Sequence, residues 1–525
     1  MPAQTPQTSR HLEVERKFDV VESTVSPSFE GIAAVAHVEK SPTQTLDATY
    51  FDTPAHDLAR NKITLRRRTG GSDAGWHLKL PAGPDARTEV RAPLDASGPD
   101  GNNAVPTELT DVVLAIVRDR PLQPVARITT ERESQVLYDA AGVALAEFSN
   151  DHVTAWSTRG SDDSAGAAAD ETGAPPTELE WREWELELLE AGGQSNGAAG
   201  TELLNRLSNR LLDAGAAPAG HGSKLARVLG TPPPPDGAQP SEDPLQRAIA
   251  EQVRELLVWD RAVRADAYDS IHQMRVTTRK LRSLLRDYQD SFGLPEEGWV
   301  LDELRELAGI LGMARDAEVL AERYERDLDG LAPELVRGPV RERLVGGAQR
   351  RYQTGLRRSL IAMRSQRYFR LLDSLETIAA QTPVAAAAEE QAPVTIDAAY
   401  KKVRKAAKAA ARAAREQPGD HHHRDEAIHR IRKRAKRLRY TAAATGAAKV
   451  SEQAKAVQSL LGDHQDSVVS REHLRQEAEI AHAAGEDTFT YGLLYQREAD
   501  LAQRCRRELD GTLRKLAKAV RKAGH

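Results

Sequence analysis

Four consecutive prolines, Pro232 to Pro235, stand near the middle of this 525-residue chain. Each proline fixes its backbone φ and lacks an amide hydrogen, so the segment cannot lie inside a helix or a central strand. Apolar residues recur at every second position before the prolines and with a period near 3.6 after them. We therefore predict a multidomain protein: an α+β domain at residues 8–230, a linker at 231–244 and an all-α domain at 245–525.

The two parts carry opposite net charges. Residues 1–240 contain 22 Lys and Arg against 35 Asp and Glu, whereas residues 241–525 contain 51 against 43. This asymmetry favours two domains with different partners, although charge also varies along a chain by chance.

Cysteine content and hydropathy exclude several classes of protein. Cys505 is the only cysteine, so an intrachain disulfide cannot form and a cysteine-based zinc site is not expected. The sequence has no apolar run near the ~18 residues of a membrane span, and its N-terminus lacks the apolar region of a secretory signal. We therefore expect a cytoplasmic protein without a membrane contact.

Period-2 alternation predicts strands in LEVERKF from Leu12, ITLRRR from Ile63, WHLKL from Trp76 and WELELL from Trp184. Turn residues separate these strands, which favours an antiparallel sheet. Residues 157–177 are rich in Gly, Ala, Ser and Asp and are expected to form a flexible insertion, and residues 200–228 are expected to be helical.

Charged residues share one face of each predicted strand, and their sign changes from strand to strand. Glu13, Glu15 and Lys17 alternate on the first strand, Arg66 and Arg68 on a second, and Glu183, Glu185 and Glu187 on the last. An ordinary sheet with one solvent-facing side has a similar alternation. Segregation by sign and bulky apolar partners favour a closed barrel whose lumen is charged.

Such a lumen has the groups needed for phosphate chemistry. Rows of arginine bind a polyanion through charge-assisted hydrogen bonds. Clustered glutamates repel that polyanion unless a divalent cation such as Mg²⁺ or Mn²⁺ lies between them. This pattern indicates metal-assisted phosphoryl transfer.

The ordered set of E-x-E-x-K at Glu13, ITLRRR, HLKLP and a late E-x-E-x-E resembles the CYTH domain, the triphosphate tunnel metalloenzymes. The resemblance covers about residues 10–230. It implies an eight-stranded antiparallel tunnel that binds triphosphates with Mg²⁺ or Mn²⁺. Members include inorganic, thiamine and RNA triphosphatases and class IV adenylate cyclases.

The resemblance also implies roles for particular residues. Glu13, Glu15 and Lys17 are expected to be catalytic, and Glu13 or Glu15 to orient an attacking water. Glu147 is a lower-ranked acidic candidate. The expected metal ligands are Glu13, Glu15, Glu185 and Glu187, and the expected phosphate-binding residues are Lys17, Arg66, Arg68, Lys79, Arg91, Arg127 and Lys224.

The helical part contains an internal repeat. IHQMRVTTRKLR from Ile271 matches IHRIRKRAKRLR from Ile428, and LGMARDAEV from Leu311 matches LGDHQDSVV from Leu461. Two matches in the same order at nearly the same offset indicate duplication. We predict repeats at about 245–381 and 396–525, separated by an Ala- and Pro-rich linker at 382–395.

Each repeat carries a basic stripe beside an apolar stripe on one helix. The stripe could be a solvated face, but its recurrence with a leading histidine suggests an anion-binding surface. The helix from Lys401 adds further basic residues. The two stripes comprise His272, Arg275, Arg279 and Arg282, and His429, Arg432, Lys436 and Arg439.

This half resembles the CHAD domain, the conserved-histidine α-helical domain, over about residues 245–525. The resemblance implies two four-helix bundles formed by duplication, with inorganic polyphosphate bound along a basic groove. The family histidines would be His272 and His429. Asp316 and Asp466 are expected to orient basic side chains or to cap helices, and residues 421–423 to lie in an exposed polar loop.

Three functions follow from these patterns. The first is metal-dependent hydrolysis of inorganic triphosphate or short polyphosphate, with polyphosphate binding by the helical part and association with polyphosphate granules. The second is a non-catalytic polyphosphate-binding protein. Thiamine triphosphate, or ATP as in an adenylate cyclase, remains an alternative substrate of the tunnel. The third function is nucleic-acid binding by the basic stripes, and the few aromatic residues there argue against it.

Overall fold

The computed structural model describes residues 9–96, 104–157, 178–189, 198–230, 243–287, 297–380, 395–416 and 421–523. The strands are β1 (Ser9–Val20), β2 (His37–Lys40), β3 (Gln44–Asp52), β4 (Thr64–Thr69), β5 (Gly75–Pro81), β6 (Ala86–Ala92), β7 (Gln123–Tyr138), β8 (Ala144–Ser157), β9 (Glu178–Leu188) and β10 (Ala217–Pro218). The helices are α1 (Asp57–Arg60), α2 (Thr107–Val117), α3 (Ala198–Asp213), α4 (Lys224–Leu229), α5 (Pro244–Arg264), α6 (Ser270–Asp287), α7 (Glu297–Asp329), α8 (Gly347–Ala362), α9 (Gln366–Ala380), α10 (Ile396–Glu416), α11 (His421–Ala444), α12 (Ala448–Ala483) and α13 (Phe489–Ala523). Residues 158–177 of the insertion predicted at 157–177, residues 231–242 of the first predicted linker and residues 382–394 of the second lie outside the described residues.

Eight strands close into an antiparallel barrel in the order β1-β6-β5-β4-β3-β7-β8-β9. The ring closes because β9 pairs with β1, with Lys17 opposite Glu185. Strand β2 extends the sheet along β7, and β10 pairs with β1. The predicted eight-stranded α+β barrel is therefore confirmed.

Helices cover the outer face of the barrel. Trp184 and Phe148 pack with leucines of α3, and Trp76 packs in a cluster with Leu109 and Val113 of α2. Trp76 and Trp184 are both fully buried, and truncating such an aromatic side chain costs about 3–5 kcal/mol. On β5, β8 and β9 the apolar side chains thus face outward under helices, which leaves the charged side chains of these strands for the lumen.

The predicted helical segment at 200–228 is only partly helical. It contains α3, the short strand β10 and α4, with Gly215 at φ +98° between the first two. A positive φ strains a residue with a side chain and suits glycine, so the helix ends there.

One compact unit comprises Met1–Arg286, Glu296–Glu303 and Leu360–Thr382. It therefore joins the barrel to α5, α9 and nearly all of α6. Arg118 follows α2 and forms ion pairs with Asp373 and Glu376 of α9. The fully buried Asp260 of α5 accepts hydrogen bonds from Arg264 at 2.6 Å and from Tyr368 of α9 at 2.8 Å.

A second compact unit comprises Asp287–Pro295, Leu304–Ser359 and Pro383–His525. Helices α10 to α13 form one bundle whose core includes Val403, Ile431, Val457 and Leu516. A second core joins Tyr324 of α7 and a π-helical turn at Glu342–Gly346 to the end of α12 and the start of α13. The all-α, duplicated-bundle class is confirmed.

Candidate active site

Strand alternation turns the charged faces of the sheet into one channel, the lumen of the barrel. The open, solvent-facing sheet that the same alternation allowed is therefore excluded. Of the residues predicted for catalysis, metal binding or phosphate binding in this domain, those that line the lumen are Glu13, Glu15, Lys17, Arg66, Arg68, Lys79, Arg91, Glu185, Glu187 and Lys224.

One wall of the lumen is rich in carboxylates. Glu187 on β9 lies opposite Glu15 on β1 and opposite Glu147 on β8. Burial and the neighbouring Glu13, Glu15 and Glu147 raise the pKa of Glu187 to about 7, although Lys79 acts in the opposite direction. By contrast, Lys17 and Lys79 lower the pKa of Glu15 to about 2 against the effect of burial.

Another wall is rich in arginines. Arg66 on β4 donates a hydrogen bond to the hydroxyl of Tyr50 at 3.3 Å. Arg68 is only 6% exposed. Burial and the like charges of Arg66 and Arg132 lower the pKa of Arg68 to about 9. This wall therefore holds more positive charge than its own carboxylates offset.

A buried network surrounds Glu185. Arg132 donates hydrogen bonds at 2.6 Å to both Glu185 and Asp151. Lys224 Nζ lies 2.7 Å from Glu185 and 2.8 Å from Asp151, and Lys17 also pairs with Glu185. Against the effect of burial, Lys17 and Lys224 hold the pKa of Glu185 well below its usual range.

Helix α4 places Lys224 at one end of the lumen. Ser223 caps this helix by accepting a hydrogen bond from the amide of Ala226 at 3.1 Å. Leu225 and Val228 pack in one cluster with Ile128 of β7. Because this apolar contact anchors the short helix, Lys224 is directed toward Asp151 and Glu185.

A second network connects β1, β5 and β6. Lys79 Nζ lies 2.6 Å from Glu13 and 3.8 Å from Glu89. Glu89 is fully buried, pairs with Arg91, and lies 2.8 Å from Nδ1 of His77. Glu89 therefore positions two of the predicted phosphate-binding cations.

Arg127 does not line the lumen, contrary to its predicted place among the phosphate-binding residues. Its side chain is 61% exposed and pairs with Asp47 at 2.6 Å on the outside of the barrel. Residue 132 lies an odd number of positions further along β7, so alternation directs Arg132 inward instead. Sequence reasoning missed Arg132, although the same ARITTERE segment contains it.

Other lumen residues were not among the predicted site residues. Arg87 lies 3.7 Å from Glu15, and Glu89 and Tyr50 contact predicted cations. Glu89 and Arg91 alternate on β6, so period 2 was a signal for Glu89. Tyr50 lies in an apolar stretch of β3 that carries no charge pattern.

The carboxylates of the lumen fit a divalent metal ion. The four predicted ligands do not form one compact group: Glu13 clusters with His11 and Glu89, whereas Glu185 clusters with Asp151 and Glu183. The Glu185 group is already neutralised by Lys17, Lys224 and Arg132. Glu15 and Glu187 face each other, and burial together with the neighbouring Glu13, Glu15 and Glu147 raises the pKa of Glu187. Oxygen ligands of this kind suit Mg²⁺ or Mn²⁺.

The predicted apolar stripe of α6 is buried, as Ile271, Met274 and Leu281 are at most 1% exposed. His272, Arg275 and Arg282 are half-buried beside it, and Arg279 is exposed. Helix α11 repeats this arrangement with Ile428, Ile431 and Leu438 buried, and with His429, Arg432, Lys436 and Arg439 half-buried.

Equivalent arginines make equivalent contacts in the two repeats. Arg282 donates to the carbonyl of Leu301 at 3.2 Å, and Arg439 donates to the side chain of Gln458 at 3.0 Å. The two arginines are 157 positions apart in the sequence, as are their two partners and the repeat residues Ile271 and Ile428. This agreement supports duplication of the helical half.

Two smaller expectations for the helical half need correction. Residues 421–423 begin α11 and do not form a loop; His423 is exposed, as expected. Asp316 and Asp466 lie in the middle of α7 and α12, so neither caps a helix. Arg323 and Arg432 interact electrostatically with Asp466, which agrees with a role in orienting basic side chains.

The fold and the charged lumen define a tunnel protein with an appended duplicated helical domain. The model of the CYTH domain matches residues 11–208, and the model of the CHAD domain matches residues 247–475. The chain belongs to the family of proteins in which a CYTH domain precedes a CHAD domain. CYTH domains are in general metal-dependent triphosphate tunnel enzymes.

Two uncharacterised proteins of Mycobacterium tuberculosis are 72% identical to this chain over 526 residues, with all of both chains covered. Among solved structures, PptA from Streptomyces chartreusis is 19% identical with a TM-score of 0.41, covering 51% of this chain and 98% of its own. The CHAD domain from Ricinus communis is 25% identical with a TM-score of 0.37, covering 52% and 90%. The putative adenylyl cyclase HpAC1 from Hippeastrum, described as having a dominant triphosphatase activity, is 15% identical with a TM-score of 0.23, covering 42% and 95%.

Among the described segments, no helix has the length and apolar character needed to cross a membrane.

Proposed function

We propose that the tunnel hydrolyses inorganic triphosphate or short inorganic polyphosphate with the help of a divalent metal ion. The observation that carries this proposal is a single lumen with an arginine-rich wall and a carboxylate-rich wall, and the pKa shifts of the two walls agree with it. Burial and like charges lower the pKa of Arg68 to about 9 and raise that of Glu187 to about 7. One wall thus carries more positive than negative charge and the other more negative than positive charge, which is the complement of a metal-bound phosphate chain.

The residues divide into two groups by role. Glu15 and Glu187, with Glu13 nearby, would hold Mg²⁺ or Mn²⁺, which supplies charge neutralisation and lowers the pKa of bound water. Glu13 or Glu15 would orient the attacking water. The phosphate chain would be held by Lys17, Arg66, Arg68, Lys79, Arg91, Arg132 and Lys224.

The composition of the lumen supports an inorganic substrate over ATP or thiamine triphosphate. Its lining residues are nearly all charged. Among the described residues that line it, Tyr50 provides the aromatic surface. A base or thiazole ring would need apolar or stacking surface to bind. The same side chains offer many charge-assisted hydrogen bonds to phosphate oxygens.

The experiment is phosphate release from tripolyphosphate with Mg²⁺, with Mn²⁺ and with EDTA. Glu15→Gln removes a carboxylate of the acidic wall and is expected to reduce kcat/KM by about 100-fold or more. Glu131→Gln is the matched control because Glu131 is exposed on β7. Turnover in EDTA, or full activity of Glu15→Gln, would contradict the proposed metal-assisted mechanism. The absence of any metal-dependent turnover would leave a binding function.

For the helical domain we propose binding of long-chain polyphosphate, which would bring the protein to polyphosphate granules. The support is a concentration of positive charge around α11 and α12. Burial and the neighbouring Arg424 and Arg471 lower the pKa of Arg506 although Asp425 opposes them. His464, which is buried in the same group, also has a lowered pKa. A polyanion would stabilise both charged forms.

A further inference from the structure

The loop between β4 and β5 brings an acidic residue into the cationic wall. Gly70 and Gly71 have φ of +80° and +73°, and a Cβ atom on Gly70 would lie 2.2 Å from the carbonyl oxygen of Thr45. Only glycine tolerates this turn and this close approach. The turn directs Asp73 to the lumen, where it pairs with Arg68.

The backbone at Asp73 is held as well as its side chain. Its carbonyl oxygen lies 2.9 Å from Nε2 of the buried His77, whose Nδ1 lies 2.8 Å from Glu89. The loop is therefore anchored to the inner face of β5. Asp73 keeps its place by the lumen whether or not its carboxylate is paired.

The two partners differ in exposure and in charge environment. The side chain of Arg68 is 7% exposed, whereas that of Asp73 is 33% exposed. Arg66 and Arg132 lie near Arg68 and carry the same charge. Among the described residues, Asp73 supplies the carboxylate that lies within ion-pair distance of Arg68. Asp73 is thus a single, partly exposed charge in the lining of a site with excess positive charge. A phosphate group carries more charge and more acceptor atoms than a carboxylate.

Building on the proposed function, we propose that Asp73 is an internal counter-anion that occupies Arg68 until a phosphate group of the substrate displaces it. Asp73 then sets the affinity of the tunnel for the phosphate chain, because binding must first break the Arg68–Asp73 pair. The alternative is that Asp73 is only a support that orients Arg68 for binding. The two roles predict opposite signs: loss of the carboxylate strengthens binding in the first and weakens it in the second.

The experiment is calorimetric titration of the full chain with tripolyphosphate in EDTA, so that binding is measured without metal-dependent turnover. Asp73→Asn is expected to lower Kd about tenfold, and Asp73→Glu, which keeps the charge, to stay near wild type. Asp47→Asn is the matched control, because Asp47 has a similar exposure of 35% and pairs with Arg127 outside the barrel. It removes the same charge and is expected to leave Kd within about twofold.

A double mutant separates displacement from general repulsion. Arg68→Ala alone weakens binding, and adding Asp73→Asn to Arg68→Ala has no further effect if the carboxylate acts through Arg68. With Mg²⁺ present, Asp73→Asn lowers KM and leaves kcat within about twofold, since the contacts of bound substrate are unchanged.

Three results would overturn the inference. Equal or weaker binding by Asp73→Asn would make Asp73 a support for Arg68. Equal tightening in the presence and absence of Arg68 would mean that only long-range repulsion was removed. Failure of the wild-type protein both to bind tripolyphosphate in EDTA and to hydrolyse it with Mg²⁺ or Mn²⁺ would refute the proposed function itself, and the inference with it.

Discussion

The barrel lumen and the basic faces of α6 and α11 both present rows of cations, yet they differ in what accompanies them. In the lumen, carboxylates from β1, β8 and β9 meet the cations, as in the 2.6 Å contacts of Lys79 with Glu13 and of Arg132 with Glu185. On each helix the cations lie beside an apolar stripe and the row of cations contains no acid, although Asp466 of α12 interacts electrostatically with Arg432. Cations suffice to bind a polyanion, whereas metal-assisted hydrolysis also requires carboxylates within the same enclosure.

The largest expected effect is a difference in stability between two substitutions on β7, one inside the barrel and one outside it. Arg132→Ala leaves the fully buried Asp151 and the half-buried Glu185 short of a partner, so the free energy of unfolding should fall by about 3 kcal/mol. Arg127→Ala on the same strand removes an exposed pair and should change it by less than about 0.5 kcal/mol. Urea denaturation followed by tryptophan fluorescence measures both. Equal losses would mean that the lumen is no less hydrated than the surface.

The next effect concerns the helical region alone. Arg432→Glu reverses a half-buried charge in the basic stripe of α11 and should weaken binding of labelled long-chain polyphosphate about tenfold at low salt. Arg430→Glu is the control, because Arg430 is exposed on another face of the same helix and pairs with Glu426 at 3.6 Å. Fluorescence anisotropy gives the affinities, and hydrolysis of tripolyphosphate should be unchanged in both variants. Equal weakening would assign binding to overall charge and not to the stripe.

The smallest expected effect is a pH dependence of the helical region. Burial and the nearby arginines lower the pKa of His464 below the ordinary histidine value of about 6.5, although Asp425 opposes them. At pH values between the pKa of His464 in the folded chain and its pKa in the unfolded chain, the unfolded chain binds more protons. The contribution of neutral His464 to stability is therefore lost as pH falls below about 6.5. His464→Gln should flatten the pH dependence of thermal unfolding between pH 5 and 7. An unchanged slope would show that other groups control acid sensitivity, and Glu131→Gln in the barrel provides the control.

The lining of the lumen was largely predictable because period-2 alternation is a local property of a strand. Glu13, Glu15 and Lys17, or Arg66 and Arg68, share a face whatever the rest of the chain does. The prediction that Arg127 lines the lumen was wrong, and strand alternation also explains why. Strand β7 carries charged residues on both faces, with Arg127 and Glu131 on one and Arg132 on the other, so alternation alone cannot identify the inner face. The partners of β7 across the sheet decide it, through the pairing of Arg132 with Asp151.

The sequence by itself determined the order of the two domains, the strand and helix periods, the duplication and most of the charged lining, because these depend on residues close together in the chain. Only the tertiary structure decided which groups meet across the lumen and what charge remains uncompensated there. Glu187 lies opposite Glu15 through closure of the barrel, and Asp73 reaches Arg68 through a loop without any periodic pattern. Both depend on strand register and burial, since a pKa shift arises from desolvation and from neighbours that are distant in sequence.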